Sequence, residues 1–227
     1  MLEVTNLNSG YGGVPILRDV SLSARTGEIT LIVGENGAGK STLLRSIAGF
    51  LKPQSGSVRF DGVEIAGQKP ENIATRGARL VLDGHRIFPG ISVWDNIRLG
   101  ATIRRNRATF EASVEEAFSI FPILKQRLRH PAGSLSGGQQ QMLALAQAFV
   151  GEPKLLMCDE PSLGLAQNLM PPIFQALQAW AARGMAVIVV EQYVDVVLPF
   201  ASRVLVLERG HVKLACAAKD FKASRSA

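Results

Sequence analysis

Gly34-Glu-Asn-Gly-Ala-Gly39-Lys40-Ser41-Thr42 stands between two apolar runs, Ile29 to Val33 before it and Leu43 to Phe50 after it. A strand, a glycine-rich turn and a helix in that order form the setting a phosphate-binding loop requires. Gly34, Gly37 and Gly39 let successive backbone N–H groups, that of Asn36 among them, turn inward around a phosphate chain. The helix start at Lys40, Ser41 and Thr42 adds a partial positive charge. Lys40 can reach the β and γ oxygens of a nucleoside triphosphate, and the Ser41 hydroxyl can hold Mg²⁺. The other reading is a glycine-rich turn with a chance lysine. The flanking strand and helix argue against it.

Further along, Lys154-Leu-Leu-Met-Cys-Asp159-Glu160-Pro161 reads as a central strand ending in adjacent carboxylates. Side chains alternate along a strand, so the two acids are expected to take different roles. Asp159 fits the coordination shell of Mg²⁺, and Glu160 can polarise an attacking water. Alone, an apolar run ending in Asp-Glu is a weak signal; downstream of the loop above it is strong.

Between these segments, Leu135-Ser136-Gly137-Gly138-Gln139 introduces a helix expected over Gln140 to Phe149. Ser136 ahead of two glycines resembles a cap on a helix N-terminus built to receive an anion. One chain thus offers two such helix starts but a single complete nucleotide loop. A second copy docked head to tail resolves the surplus. Taken alone, Ser-Gly-Gly-Gln would be an ordinary capped helix.

The rest of the chain supports an α/β architecture. Short strands are expected at Leu2 to Thr5, Leu17 to Leu22, Glu28 to Val33, Leu80 to Leu82, Leu155 to Cys158, Ala186 to Val190 and Val204 to Leu207. Asp61-Gly62 supplies the turn of a hairpin between Ser57 and Ile65. Ser92-Val-Trp-Asp95 resembles a capping box, and Phe110, Val114, Phe118 and Phe121 share one helical face as core. A helix is expected over Gln167 to Ala182. Strands alternating with helices imply a parallel sheet covered on both faces. The chain therefore reads as one folding unit over residues 1–227, with a core of 1–91 and 148–227. A helical insertion of about 92–147 sits between two strands of that sheet.

Composition excludes several classes. With 47% hydrophobic and 19% charged residues among 227, the chain can bury an ordinary core and is not disordered. No apolar run approaches the roughly 18 residues that span a bilayer. The start MLEVTNLNSGYG lacks a charged segment followed by an apolar one, so a cytosolic protein is expected. Two cysteines, Cys158 and Cys216, are too few for a disulfide framework or a zinc site. The net charge of +6 permits an anionic partner, and Arg98, Arg104, Arg105, Arg107, Lys125, Arg127 and Arg129 crowd the middle. That segment also holds Glu111, Glu115 and Glu116 and lacks interleaved aromatics, so it reads as a solvated helical surface with no nucleic acid partner.

GENGAGKST, LSGGQ, LLMCDEP and the spacing between them resemble the ATP-binding subunit of an ABC transporter over essentially the whole chain. LSGGQ separates this family from other P-loop ATPases. The resemblance implies a P-loop NTPase with a mostly parallel central sheet, an N-terminal antiparallel β subdomain and an inserted α-helical subdomain. It implies a head-to-tail dimer in which each ATP lies between one chain's phosphate loop and the other chain's Ser136, Gly137, Gly138 and Gln139. By the same resemblance Tyr11 stacks on adenine; the alternative is a half-buried tyrosine at a strand end. Arg86-Ile-Phe-Pro89, Pro161-Ser-Leu-Gly-Leu-Ala166 and Val190-Glu-Gln192 are similar to the smaller ATPase of bacterial branched-chain amino acid importers and its urea and amide relatives.

Gln192 takes the place where most of the family has a histidine touching the γ-phosphate; it donates a hydrogen bond but does not titrate near neutral pH. Asp83 stands where a Gln or Glu usually serves Mg²⁺, the water and the membrane partner. Tyr193 and Ala166-Gln167 also depart from the branch. The reading is a peripheral, Mg²⁺-dependent ATPase on the cytoplasmic face of the inner membrane. Its expected partners are a second ABC ATPase or a second copy of itself, two transmembrane permease subunits and, indirectly, a solute-binding protein. Glu160, Lys40 and Gln192 are the expected catalytic residues, and Ser41, Asp159 and Asp83 the expected metal ligands. Import of urea or short amides, and a non-transport ABC ATPase, are the alternatives.

Overall fold

The computed structural model describes residues 1–82, 84, 87–101 and 107–225. Asp83, and with it the expected third metal ligand, lies outside the described residues, as do Arg86, Arg104 and Arg105 of the motifs above.

Along the chain, β1 (Leu2–Tyr11) and β2 (Val14–Ala24) precede β3 (Ile29–Val33) and α1 (Lys40–Ile47). Then come β4 (Ser55–Phe60), β5 (Val63–Glu64), α2 (Pro70–Thr75) and β6 (Ala78–Val81). The helices α3 (Val93–Gly100), α4 (Arg107–Ile120), α5 (Pro122–Gln126) and α6 (Gly137–Phe149) follow. The chain ends through β7 (Leu155–Asp159), α7 (Met170–Ala182), β8 (Ala186–Val190), α8 (Val194–Val197), β9 (Arg203–Glu208), β10 (His211–Ala217) and α9 (Ala218–Arg225).

Two sheets result. A four-stranded antiparallel sheet runs β2-β1-β4-β5, and a six-stranded sheet runs β10-β9-β3-β8-β7-β6. The second is parallel except at its β9–β10 edge. All residues of β3, β7 and β8 are buried, as apolar runs covered on both faces must be. Alternation along β3 divides its side chains between two cores. Ile29, Leu31 and Val33 pack with the helices α3 to α7, whereas Ile32 packs with α1 and the antiparallel sheet. In the first core Trp180 stacks on Phe149 (centroids 4.1 Å apart, 8° between planes) and meets Phe121 edge-on. As expected, α3 to α6 lie between β6 and β7, which are neighbours in the sheet.

The structure departs from the sequence reading in several places. β1 and β2 are longer than expected, because the Gly12-Gly13 turn lets pairing run to Tyr11 and Val14. Bulges interrupt that ladder where Asn6 and Asp19 adopt positive φ. The segment from Gln167 opens as a 3-10 turn over Gln167–Leu169, and the α-helix starts only at Met170. Pro171 and Pro172 explain this, since a residue without an N–H is tolerated only in the first helical turn. At α3 the Asp95 N–H donates to Ser92 Oγ at 3.0 Å, but the Asp95 carboxylate accepts from the Ser92 hydroxyl instead of its backbone N–H. The side chain is one methylene shorter than the Glu of a full capping box.

Candidate active site

The phosphate loop hangs from the end of β3 and feeds α1. At Gly34 a Cβ would lie 2.2 Å from the Leu207 carbonyl oxygen on β9, so only glycine fits. Gly39, the N-cap of α1, holds φ at +105°, and no side chain caps the helix. The first N–H groups of a helix have no partner within it, so α1 presents donors toward the loop. Lys40 is 4% exposed and folds back over the loop, its Nζ donating to Gly34 O at 2.8 Å and Glu35 O at 3.1 Å.

Ser41 Oγ donates to Asp159 Oδ1 at 3.1 Å, joining α1 to the end of β7. A hydroxyl and a carboxylate side by side are hard oxygen ligands of the kind Mg²⁺ takes. The donor set fits that ion.

The two adjacent carboxylates separate by a device other than strand alternation. Asp159 is the last, buried residue of β7, whereas Glu160 adopts φ of 48° and turns out of the strand. Its N–H donates to Val190 O at 2.9 Å, which locks the turn to β8. Gln192, two residues beyond β8, donates from Nε2 to Glu160 Oε1 at 2.8 Å. The structure therefore brings Gln192 onto the carboxylate expected to activate water.

Between them in the chain lies Glu191, a buried carboxylate to which the sequence reading gave no role. Its Oε1 accepts the Ser162 N–H at 2.8 Å and its Oε2 the Gln192 N–H at 3.2 Å. Burial pushes its carboxyl above the usual range, those hydrogen bonds oppose the shift, and the charge of Glu160 adds to it. Only its place in Val190-Glu-Gln192, directly after an apolar strand, could have drawn attention to it. Burial likewise pushes the Cys158 thiol far up, with Glu191 and Asp159 adding to the effect.

The second helix start is built differently. Ser136 and Gln139 close a full capping box: the Gln139 N–H donates to Ser136 Oγ at 3.4 Å, and the Ser136 N–H to Gln139 Oε1 at 3.2 Å. Gly137 is the first residue of α6, three residues earlier than the sequence suggested. Gly138 is buried, and a Cβ there would come within 2.5 Å of Leu169. Tyr11, at the end of β1, is 44% exposed and accepts a hydrogen bond from Arg45 of α1 at 3.2 Å.

A phosphate loop between strand and helix, with a strand-end carboxylate on its serine, defines a P-loop nucleoside triphosphatase. The model of the ABC transporter family matches residues 17–163, and the chain belongs to that family. It is 37% identical to the high-affinity branched-chain amino acid transport ATP-binding protein BraG of Pseudomonas aeruginosa, covering 93% of this chain and 91% of that one. It is 34% identical to the probable branched-chain amino acid transport ATP-binding protein LivF of Archaeoglobus fulgidus, over 93% and 90%. The glutamine transport ATP-binding protein GlnQ of Escherichia coli shares 30% identity over 93% and 89%. A solved nucleotide-free ATP-binding cassette from an ABC transporter superposes with a TM-score of 0.87 at 26% identity, over 100% of this chain and 95% of that one. A dimeric cassette in a post-hydrolysis state, bound to ADP and Pi, superposes with a TM-score of 0.85 at 25% identity, over 96% and 99%. The chain is accordingly an ATPase of an ABC transporter, coupling ATP hydrolysis to transport. Among the described residues no helix is long and apolar enough to cross a membrane.

Proposed function

We propose that this protein is the Mg²⁺-dependent ATPase subunit of an importer for branched-chain or related amino acids. It works on the cytoplasmic face of the inner membrane, paired with a second ABC ATPase or a second copy of itself. Two permease subunits carry the solute, which a solute-binding protein delivers. The observation that carries the solute class is the 37% identity to BraG along nearly the whole of both chains.

In this reading Lys40 neutralises the β- and γ-phosphates, and Tyr11 stacks on adenine. Gly34, Asn36, Gly37, Gly39 and Thr42 line the phosphates with backbone and side-chain donors. Ser41 and Asp159 would hold Mg²⁺, which when bound neutralises charge on the phosphate oxygens. Glu160 attracts a proton of the attacking water, and the amide of Gln192 holds that carboxylate in place. Ser136, Gly137, Gly138 and Gln139 of one copy face the nucleotide of the other. Catalysis is then mostly positioning and charge neutralisation.

Phe88, 56% exposed, with Ile91 and Leu99 nearby in sequence, offers an apolar face for a membrane subunit. Trp94, by contrast, is half-buried, packing on Phe110 at 6.0 Å against the edge of the core. Phe88→Ala should therefore uncouple transport while leaving nucleotide binding intact. Wild-type transport by that variant in proteoliposomes would remove the face from consideration.

The test of the whole reading is reconstitution with the permease pair and uptake of leucine, isoleucine and valine against urea and acetamide. Uptake of urea or acetamide alone would reject the amino acid assignment. Glu160→Gln should bind ATP normally, lose hydrolysis by about 10²–10⁴-fold and accumulate an ATP-bound dimer on size-exclusion chromatography.

A further inference from the structure

Glu191 is 1% exposed, and a carboxylate is costly to bury without partners. Its bonds are spread over three strand ends. Its own N–H donates to Ile32 O of β3 at 3.2 Å. Its Oε1 takes the N–H of Ser162, in the turn after β7, and its Oε2 takes the N–H of Gln192, just past β8. Gln192 in turn donates to Glu160 Oε1, and the Glu160 carbonyl accepts the Leu163 N–H at 3.0 Å. The contacts close a ring: Glu160, Gln192, Glu191, Ser162, and back through the chain to Glu160. Glu191 is the member that reaches from β8 across to the turn following β7. The same turn carries Leu163, which is 45% exposed.

We propose that Glu191 is a positioning residue for hydrolysis. Its carboxylate fixes the Gln192 backbone so that the Gln192 amide holds Glu160, and it ties both to the turn bearing Leu163. In this role Glu191 acts through Gln192 and Glu160, with its carboxylate bonded to backbone N–H groups. This deepens the reading above, because it rests on Glu160 being the carboxylate that activates water. A residue that only sustains the fold would show the same burial, so the test must separate rate from affinity.

In the assembled transporter, Glu191→Ala should lower kcat by about 10- to 100-fold, as a small misplacement of a reacting group does. The KM for ATP and the affinity for a fluorescent ATP analogue should stay within about twofold of wild type. Glu191→Gln keeps an oxygen for one N–H and loses the acceptor for the other, so its kcat should fall between those of the alanine variant and the wild type. Combined with Gln192→Ala, the loss should be smaller than the product of the two single losses, since one residue acts through the other.

Wild-type kcat in Glu191→Ala would overturn the proposal. So would a parallel loss of affinity and rate that Glu191→Gln does not rescue, or losses that multiply in the double variant. Should the alanine variant fail to fold, Glu191→Gln decides: a lowered kcat at unchanged affinity supports the proposal, and wild-type kcat overturns it. Glu160→Gln is assayed alongside. If it hydrolyses ATP at the wild-type rate, the role of Glu160 falls and this inference with it. If it is inactive while Glu191→Ala is unimpaired, only the positioning role falls.

Discussion

The starts of α1 and α6 are both glycine-flanked and both expected to face phosphate, yet they are finished in opposite ways. α1 has glycine at its N-cap and no side-chain acceptor, so its first N–H groups face the loop, and Lys40 is folded over the loop carbonyls. α6 is closed by Ser136 and Gln139, each satisfying the other's backbone N–H. A helix start that lacks an internal acceptor depends on an external anion, whereas one with a capping box is complete by itself. In the proposed dimer, the difference would separate the half of the site that binds within one chain from the half that one copy offers to another.

The most severe way to break this contrast is Lys40→Ala. It should weaken binding of a fluorescent ATP analogue by at least about 10²-fold, because the charge meeting the phosphates is lost. Binding close to wild type would show that the backbone donors of α1 suffice alone. Ser136→Ala acts on the other start and should behave differently. It removes the cap, costing about 0.5–2 kcal/mol in thermal unfolding, and leaves ATP binding by the single chain unchanged. A drop in that affinity would place Ser136 in its own chain's nucleotide site and erase the distinction.

The mildest change marks the background against which the cap is judged. Asp61 in the β4–β5 turn accepts from Lys154 Nζ at 2.6 Å and from the N-terminal ammonium, and these partners hold its carboxyl below the usual range. A folded pKa below the unfolded one gives stability that is present above the unfolded pKa and lost as pH falls through the folded one. Asp61→Asn should therefore lower the unfolding temperature slightly at pH 7, by an amount worth about 0–1 kcal/mol for an exposed pair, and have no effect at about pH 2. An effect that persists at the acid end would assign it to packing.

The residues that carry periodicity or a fixed spacing were legible in the sequence. Ile29 to Val33, the loop into Lys40, the strand into Asp159 and the Asp61-Gly62 turn all stand where expected. Their local chemistry admits few alternatives. What was not legible depends on partners distant in the chain. β10 is absent from the sequence reading because His211 to Ala217 alternates weakly and is ordered by pairing with β9. The separation of Asp159 from Glu160 comes from a positive φ that the Val190 carbonyl holds in place, and no residue type announces that. By the family resemblance Gln192 reads as a phosphate donor, yet its amide rests on Glu160, 32 residues away. Glu191 carries no expectation from the sequence, and its burial is matched by the N–H groups of Ser162 and Gln192.

The aromatic stack beneath α6 also makes the protein its own optical probe. The chain has two tryptophans, and Trp180 is fully buried against Phe149, the last residue of α6. An indole in so apolar a setting emits toward the blue, and its emission moves red when water enters. With Trp94 replaced by Phe, the remaining fluorescence would report on the seating of the helix that Ser136 begins, with no dye attached.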